Sequence, residues 1–247
     1  MRRFGAARVD LDVDFVGGVR ADVVDTLLGA CLGEDDSEPL SPDLIGEWTL
    51  NRRLQALIAV RLAGEREPAT INVTCPGCGA AMELDIDVED FVAAPAADEV
   101  AWKSGDGQEV RVRLPRGRDQ RQWITEGTTD VSAIAGTLVT CVDAAPTPPS
   151  FLAPNSWLDG LSDVLEVHDP LTTLALRADC PECALTSDHD LDLESLLMRE
   201  FADAQRSLLD EVCRLAAAFH WTEAEIVALP PWRRARYLAR LDAWSPG

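Results

Sequence analysis

Cys75-Pro76-Gly77-Cys78 and Cys180-Pro181-Glu182-Cys183 open two copies of one stretch, 105 residues apart (180 − 75). The likeness continues past the cysteines. At the same offset Asp85 matches Asp190, Asp87 matches Asp192 and Glu89 matches Glu194. The apolar places agree as well: Ile86 with Leu191, Val88 with Leu193, Phe91 with Leu196, Val92 with Leu197. A short alternating run precedes each copy, Ile71/Val73 in the first and Leu174/Leu176 in the second. Such self-similarity marks one supersecondary unit used twice.

A Cys-x-x-Cys turn aims two thiolates at one tetrahedral cation, and two such turns complete a four-sulfur site. The spacing therefore predicts two zinc-knuckle hairpins with Cys75, Cys78, Cys180 and Cys183 as ligands of a structural Zn2+. In adjacent ribbons the pairs stand about 15–20 residues apart. Here the fold itself must bring them together. Other readings stay open: thiols packed in a hairpin core, a site that has lost its metal, and a redox pair. The redox pair wants its motif at a helix start after a strand, whereas both motifs here sit between strands. Asp87 and Asp192 stand where a carboxylate caps the first amides of a helix.

Length and charge narrow the field. The chain has 247 residues and a formal charge of -21, from 43 acidic and 22 basic residues. That balance disfavours nonspecific attraction to nucleic acid or to an anionic membrane. No apolar run is long enough for a membrane span, and Met1-Arg2-Arg3-Phe4 leads into an acidic segment rather than a signal-peptide core. Seven cysteines, four of them in CxxC pairs, point to a reducing, cytoplasmic setting rather than a disulfide framework. Cys31, Cys141 and Cys213 lie in apolar helical patterns and read as inert core thiols.

In chain order, Val9 to Phe15 alternates as a strand does. Helices are expected over Ala21 to Leu32 and Leu50 to Leu62, the second with Arg52, Arg53 and Arg61 on its polar face, and an acidic loop at 34–38. After the first knuckle come a short helix and the Ala-Pro residues 93 to 97. A hairpin follows around Gly105-Asp106-Gly107, then helices near 117 to 125 and over Val131 to Val142. The Pro-rich residues 144 to 154 read as a linker. It would join an N-terminal half (1–143) to a C-terminal half (155–247), the two forming one compact unit. A helix from Trp157 to Leu165 precedes the second knuckle, and one long amphipathic helix runs from Leu193 to Phe219. Thr222 and Glu225 form a capping box. Pro230-Pro231 then opens a last helix with Trp232, Arg233, Arg234, Arg236 and Tyr237. The expected class is α+β: mostly helical, with two knuckle hairpins making a split zinc-ribbon-like unit and a C-terminal helical hairpin. That tail has two readings, a DNA-reading helix-turn-helix and a hairpin packed on the long helix with its arginines on carboxylates. The acidity of the chain favours the second.

Signs of catalysis are missing. There is no phosphate loop, nucleophile elbow or HExxH. His168, His189 and His220 read as turn, surface and capping residues. A closed four-sulfur site leaves no position for a reacting water. A non-enzymatic protein is expected.

Several blocks together resemble the T-even-phage-type baseplate hub assembly chaperones of contractile tails and contractile injection systems. They are Asn51-Arg52-Arg53-Leu54-Gln55-Ala56-Leu57, then Cys75-Pro76-Gly77-Cys78-Gly79, then Arg113-Leu114-Pro115 with Asp119 and the Cys141 segment. Cys180-Pro181-Glu182-Cys183 with Asp192 to Glu200 follows. The most specific is the tail, His220-Trp221-Thr222-Glu223-Ala224-Glu225-Ile226 with Arg233-Arg234-Ala235-Arg236-Tyr237-Leu238. One departure is Ala184, where glycine is usual after the second cysteine. The resemblance implies a factor that helps the hub or baseplate wedge assemble before sheath and tube polymerise, with baseplate or hub proteins as partners. The aromatic and arginine residues of the tail, Trp232, Arg233, Arg234, Arg236 and Tyr237, are the candidate contact. Other expectations weighed are a nucleic-acid-binding zinc ribbon and a baseplate subunit retained in the particle.

Overall fold

The computed structural model describes residues 1–33, 40–64, 67–91 and 97–244. The predicted acidic loop at 34–38 and residues 93–96 of the Ala-Pro stretch lie outside them. The fold is mixed α and β. Three helices, α1 (Arg20–Leu32), α2 (Pro42–Gly46) and α3 (Leu50–Leu62), lead into the first hairpin, β1 (Ala69–Thr74) and β2 (Ala81–Ile86). A small sheet and two helices follow: β3 (Glu99–Lys103), β4 (Glu109–Arg113), α4 (Gly117–Glu126), α5 (Val131–Leu138), β5 (Val139–Val142) and β6 (Ala145–Pro146). Then come α6 (Leu158–His168), the second hairpin of β7 (Leu174–Asp179) and β8 (Thr186–Leu191), and the helices α7 (Leu193–Phe219), α8 (Glu223–Val227) and α9 (Pro231–Trp244). Among the described residues no helix is long and apolar enough to cross a membrane.

The repeat is visible in the strand pairing. Ala69 pairs with Ile86 and Thr74 with Ala81. Leu174 pairs with Leu191 and Asp179 with Thr186, the same register moved by the offset between the two motifs. Each unit ends on its predicted aspartate. Asp192 Oδ1 accepts the Ser195 amide at 2.9 Å and starts the 27-residue α7. Asp87 Oδ1 accepts the Glu89 amide at 3.0 Å, but only a single 3-10 turn, Val88–Phe91, follows.

α7 is the spine of the molecule. At about 1.5 Å per residue it spans roughly 40 Å, enough to serve two cores. Its first half sets Leu193, Leu196, Leu197 and Phe201 against α1, α3 and the bases of both hairpins. Its second half gives Leu208, Val212 and Leu215 to a smaller cluster closed by Ile226 and Val227 of α8 and flanked by Tyr237, Leu238 and Leu241 of α9. A third cluster lies aside, with Val110, Val112, Leu138, Val139, Trp157 and Leu161. The Pro-rich 144–154 segment is built into that third cluster rather than strung between halves. Ala145 pairs with Val142, Ala153 is buried, and the carbonyl of Phe151 fills the space a side chain at Gly136 would need. The boundary drawn there from the sequence cuts through this cluster.

Three other expectations change. Val9 to Phe15 is not a strand, because Asp10 turns inward. Its carboxylate takes the amides of Ala6 and Ala7 and both Nη atoms of Arg2, which curls Arg8–Asp12 into a 3-10 turn. The helix predicted over Val131 to Val142 stops at Leu138, since Val139–Val142 pairs with β4 and its β-branched residues suit a strand. Cys31 is a buried thiol whose burial pushes its pKa up to about 12. Cys141 instead lies half-buried on β5, and Cys213 is exposed on α7.

One buried group is uncompensated. Asp169, at the C-terminal end of α6, is fully buried, and no donor reaches either oxygen in good hydrogen-bond geometry. Burial lifts its pKa to about 6, with the Asn51 side chain pulling part of the way back. A carboxyl whose folded pKa exceeds its unfolded value holds its proton more tightly in the native state. Stability from this group is therefore complete below pH 3.8 and is lost as pH rises through 6. Asp169→Asn removes that loss. The stability difference between variant and wild type, measured by urea unfolding, should be near zero at the acid end. By pH 7 it should reach about 2–3 kcal/mol in the variant's favour. A difference that does not change with pH refutes the assignment.

Candidate metal centre

Both turns are built by the same backbone contacts. The amide of the first cysteine donates to the carbonyl five residues on, Cys75 to Ala80 and Cys180 to Leu185, at 2.9 Å each. The fifth residue's amide returns to the first cysteine's carbonyl, Gly79 to Cys75 at 3.0 Å and Ala184 to Cys180 at 2.9 Å. This closure puts residue five in the left-handed region, φ 75 at Gly79 and φ 58 at Ala184. The departure noted in the sequence thus leaves the turn intact; Ala184 bears a strain of about 1 kcal/mol that glycine would not.

The two turns meet. All four Sγ atoms lie within 4.8 Å of one another, with Cys75 to Cys183 at 3.7 Å and Cys78 to Cys180 at 3.6 Å. A tetrahedral ion with sulfur bonds of about 2.3 Å sets its ligands about 3.8 Å apart. Each turn gives one buried sulfur residue, Cys75 or Cys180, and one exposed, Cys78 or Cys183. Met82 and Ala178 complete an apolar floor with the buried pair. The cluster could hold a metal ion, and it would be closed, with four protein donors and no open position.

Charge makes the same point. The amides of Cys78 and Gly77 point at the Cys75 sulfur and draw its pKa down to about 6. The Ala80 amide also favours a thiolate at Cys78, but Cys180 and Cys183 beside it drive that pKa up to about 12. Cys183 is raised as well: the Leu185 amide favours its thiolate, and Cys75 and Cys180 oppose it. Backbone amides favour a thiolate at Cys75, Cys78 and Cys183, but the sulfurs oppose one another and only Cys75 is drawn down. Four thiolates at this spacing require a cation.

Gly77 is a site residue that the sequence reading did not single out. A Cβ there would meet Leu185 Cδ2, the end of an exposed side chain, at 2.7 Å and the sulfurs of Cys183 and Cys75 at an ordinary contact distance of 3.7–3.8 Å. Gly77 thus lies where the two hairpins meet. The matching position in the other turn is Glu182, so the repeat gave no sign of that contact. His189 is outside the cluster, half-buried, with Nε2 2.9 Å from Ser187 Oγ. His220 caps α7 in the left-handed conformation, as its position suggested.

The candidate contact residues on α9 divide. Arg234 is buried, with Nε on Glu211 at 2.8 Å and Nη1 on the Leu229 carbonyl at 2.9 Å. It holds α9 to α7 and offers nothing to a partner, so its place in the contact set is withdrawn. Tyr237 is half-buried, edge-on to Phe219 and Trp221. Trp232, Arg233 and Arg236 are exposed. Comparison of the chain with protein family models, with curated proteins and with solved structures finds no match.

Proposed function

We propose that this chain is a non-enzymatic assembly factor for the baseplate hub of a contractile tail or injection system, organised by a structural zinc site. The convergence of four sulfurs from two hairpins 105 residues apart carries the metal half of the reading. Zinc is the ion that an all-thiolate tetrahedral set in a reducing compartment suits best. Cys75, Cys78, Cys180 and Cys183 then join the hairpins into a split zinc-ribbon-like unit. Bound there, the metal supplies no chemistry beyond holding the chain, since no coordination position is left for substrate.

The assembly role rests on the sequence blocks shared with the hub chaperones, and the places those residues occupy support it. Arg53 is buried on Asp25. Arg113 grips Asp119, with contacts at 2.5 and 2.9 Å. Trp221 stacks on Phe219 at the foot of α7, and Tyr237 meets both rings edge-on. These residues secure one scaffold rather than a catalytic pocket. A nucleic-acid-binding zinc ribbon fits less well with a charge of -21.

Two measurements test the proposal. Elemental analysis of the purified chain should find one zinc per molecule. When the tail-gene set is co-expressed, the tagged chain should retain hub or wedge proteins from early intermediates and be missing from finished particles. Stoichiometric recovery in finished particles would make it a retained subunit. Recovery with none of the tail proteins would end the assembly reading.

A further inference from the structure

α9 carries a stripe that the rest of the chain leaves unused. In this acidic chain most arginines sit on a carboxylate. Arg2 is on Asp10, Arg20 on Asp192 and Glu194, Arg121 on Asp22 and Asp25, and Arg214, beside α9, on Asp242. Arg233, Arg236 and Arg240 follow one another at helical spacing and are all exposed. Among the described residues none of them has a carboxylate partner. Arg233 reaches the hydroxyl of Tyr237, at 3.4 Å, and lies 5.9 Å from the centroid of its ring, and Arg236 lies over the Trp232 ring, 5.1 Å from its centroid. Trp232 itself is 60% exposed.

The opposite side of the helix shows why the stripe points outward. Arg234 is tied to Glu211, and Tyr237, Leu238 and Leu241 pack toward α7. These anchors fix the rotation of α9, so Trp232, Arg233, Arg236 and Arg240 are held in register on the free side. A rigid row of guanidiniums with one exposed indole is a recognisable binding chemistry. Arginine forks take carboxylates in pairs, and tryptophan adds apolar area at small entropic cost.

We propose that the Trp232–Arg233–Arg236–Arg240 stripe docks a carboxylate-rich segment of a protein partner. Charge complementarity commits it to an acidic occupant, and the chain's overall charge decides between acidic classes. A nucleic acid brings a continuous line of phosphates past a chain whose net charge is -21, and the repulsion extends along its length. A short acidic protein segment meets only the stripe, because charges beyond about 8 Å are screened at physiological salt. The proposal rests on the assembly-factor reading only in needing a protein partner.

The test uses the zinc-loaded full chain, with fluorescence anisotropy of a short fluorescein-labelled poly-L-glutamate peptide and of a labelled single-stranded oligonucleotide. The peptide should bind with strong salt dependence and more tightly than the oligonucleotide. Combined Arg233→Gln, Arg236→Gln and Arg240→Gln, all exposed and with no carboxylate partner among the described residues, should weaken the peptide about tenfold with an unchanged melting curve. Trp232→Ala should weaken it further. Absence of peptide binding, equal affinity in the triple variant, or tighter binding of the oligonucleotide each overturns the proposal. Self-association that disappears in the triple variant, read by analytical ultracentrifugation, would reassign the stripe to a second copy and also overturn it. Co-purification with hub proteins that survives the triple variant would leave the assembly role standing on another face.

Discussion

Cys78→Ser is expected to cost the zinc-loaded protein several kcal/mol, although Cys78 is exposed. An exposed substitution away from any special feature usually changes stability by no more than about 0.5 kcal/mol. The contrast isolates the metal. Cys75→Ser would be costly in either case, because Cys75 is buried at 1% exposure and its loss disturbs the apolar floor. Cys78 and Cys183 have no such burial, so any large effect at them passes through a shared ion. The size follows from topology. A bound metal would fasten residue 75 to residue 180, and a covalent link closing a loop of about 100 residues is worth about 4.7 kcal/mol in chain entropy. For a chain of this length each kcal/mol moves the melting temperature by about 2–4 °C. Chelation should therefore lower the midpoint by roughly 10–20 °C, with Cys78→Ser and Cys183→Ser each reproducing most of that drop without chelator. Scanning calorimetry of loaded, chelated and variant protein checks it. If both serine variants melt with the wild type and chelator has no effect, the sulfurs merely pack against each other.

The hairpins, the caps and the long helix were legible because each is written in local chemistry. A repeated Cys-x-x-Cys with alternating flanks specifies strand, turn and strand. Asp192 and the Thr222/Glu225 box specify helix starts whatever surrounds them. What stayed hidden was decided by partners distant in the chain. Asp10 broke an apparent strand because Arg2 and the Ala6 and Ala7 amides were waiting for its carboxylate. Val139–Val142 left its helix because β4 offered an edge. The Pro-rich 144–154 segment looked like a linker from composition, yet the bare backbone of Gly136 gave Phe151 a seat. At the candidate metal centre the four cysteines were readable, and the contact of Gly77 with Leu185 was not, since Leu185 belongs to the other hairpin.

Arg53 was placed on the polar side of α3 by periodicity, where its loss should matter little. The structure makes the opposite prediction. Its guanidinium is fully buried and donates to Asp25 Oδ1 at 2.7 Å, to the Ala21 carbonyl at 2.7 Å and to Gln120 Oε1 at 3.2 Å. A Cβ at Gly117 would sit 2.6 Å from Nη1, so α4 packs directly on the charged group. Asp25 is equally buried and is shared with Arg121 Nη2 at 2.7 Å. Burial pushes the Asp25 carboxyl up, against the pull of Arg53 and Arg121. The two partners are therefore not equivalent. Without Arg53, Asp25 keeps Arg121 and can take a proton. Without Asp25, Arg53 keeps a full charge that it cannot release, with only a carbonyl and an amide oxygen to receive it. Asp25→Leu should cost about 3–5 kcal/mol and Arg53→Met distinctly less, about 1–3 kcal/mol. The double variant Asp25→Leu/Arg53→Met should be more stable than Asp25→Leu alone, because an apolar pair replaces an orphaned cation. Urea unfolding followed by tryptophan fluorescence measures all three. Single variants that both fall within about 0.5 kcal/mol of wild type would return Arg53 to the surface role its spacing suggested. An additive double variant would show that the two groups are not coupled, and the junction of α1, α3 and α4 would have to be held by its apolar contacts alone.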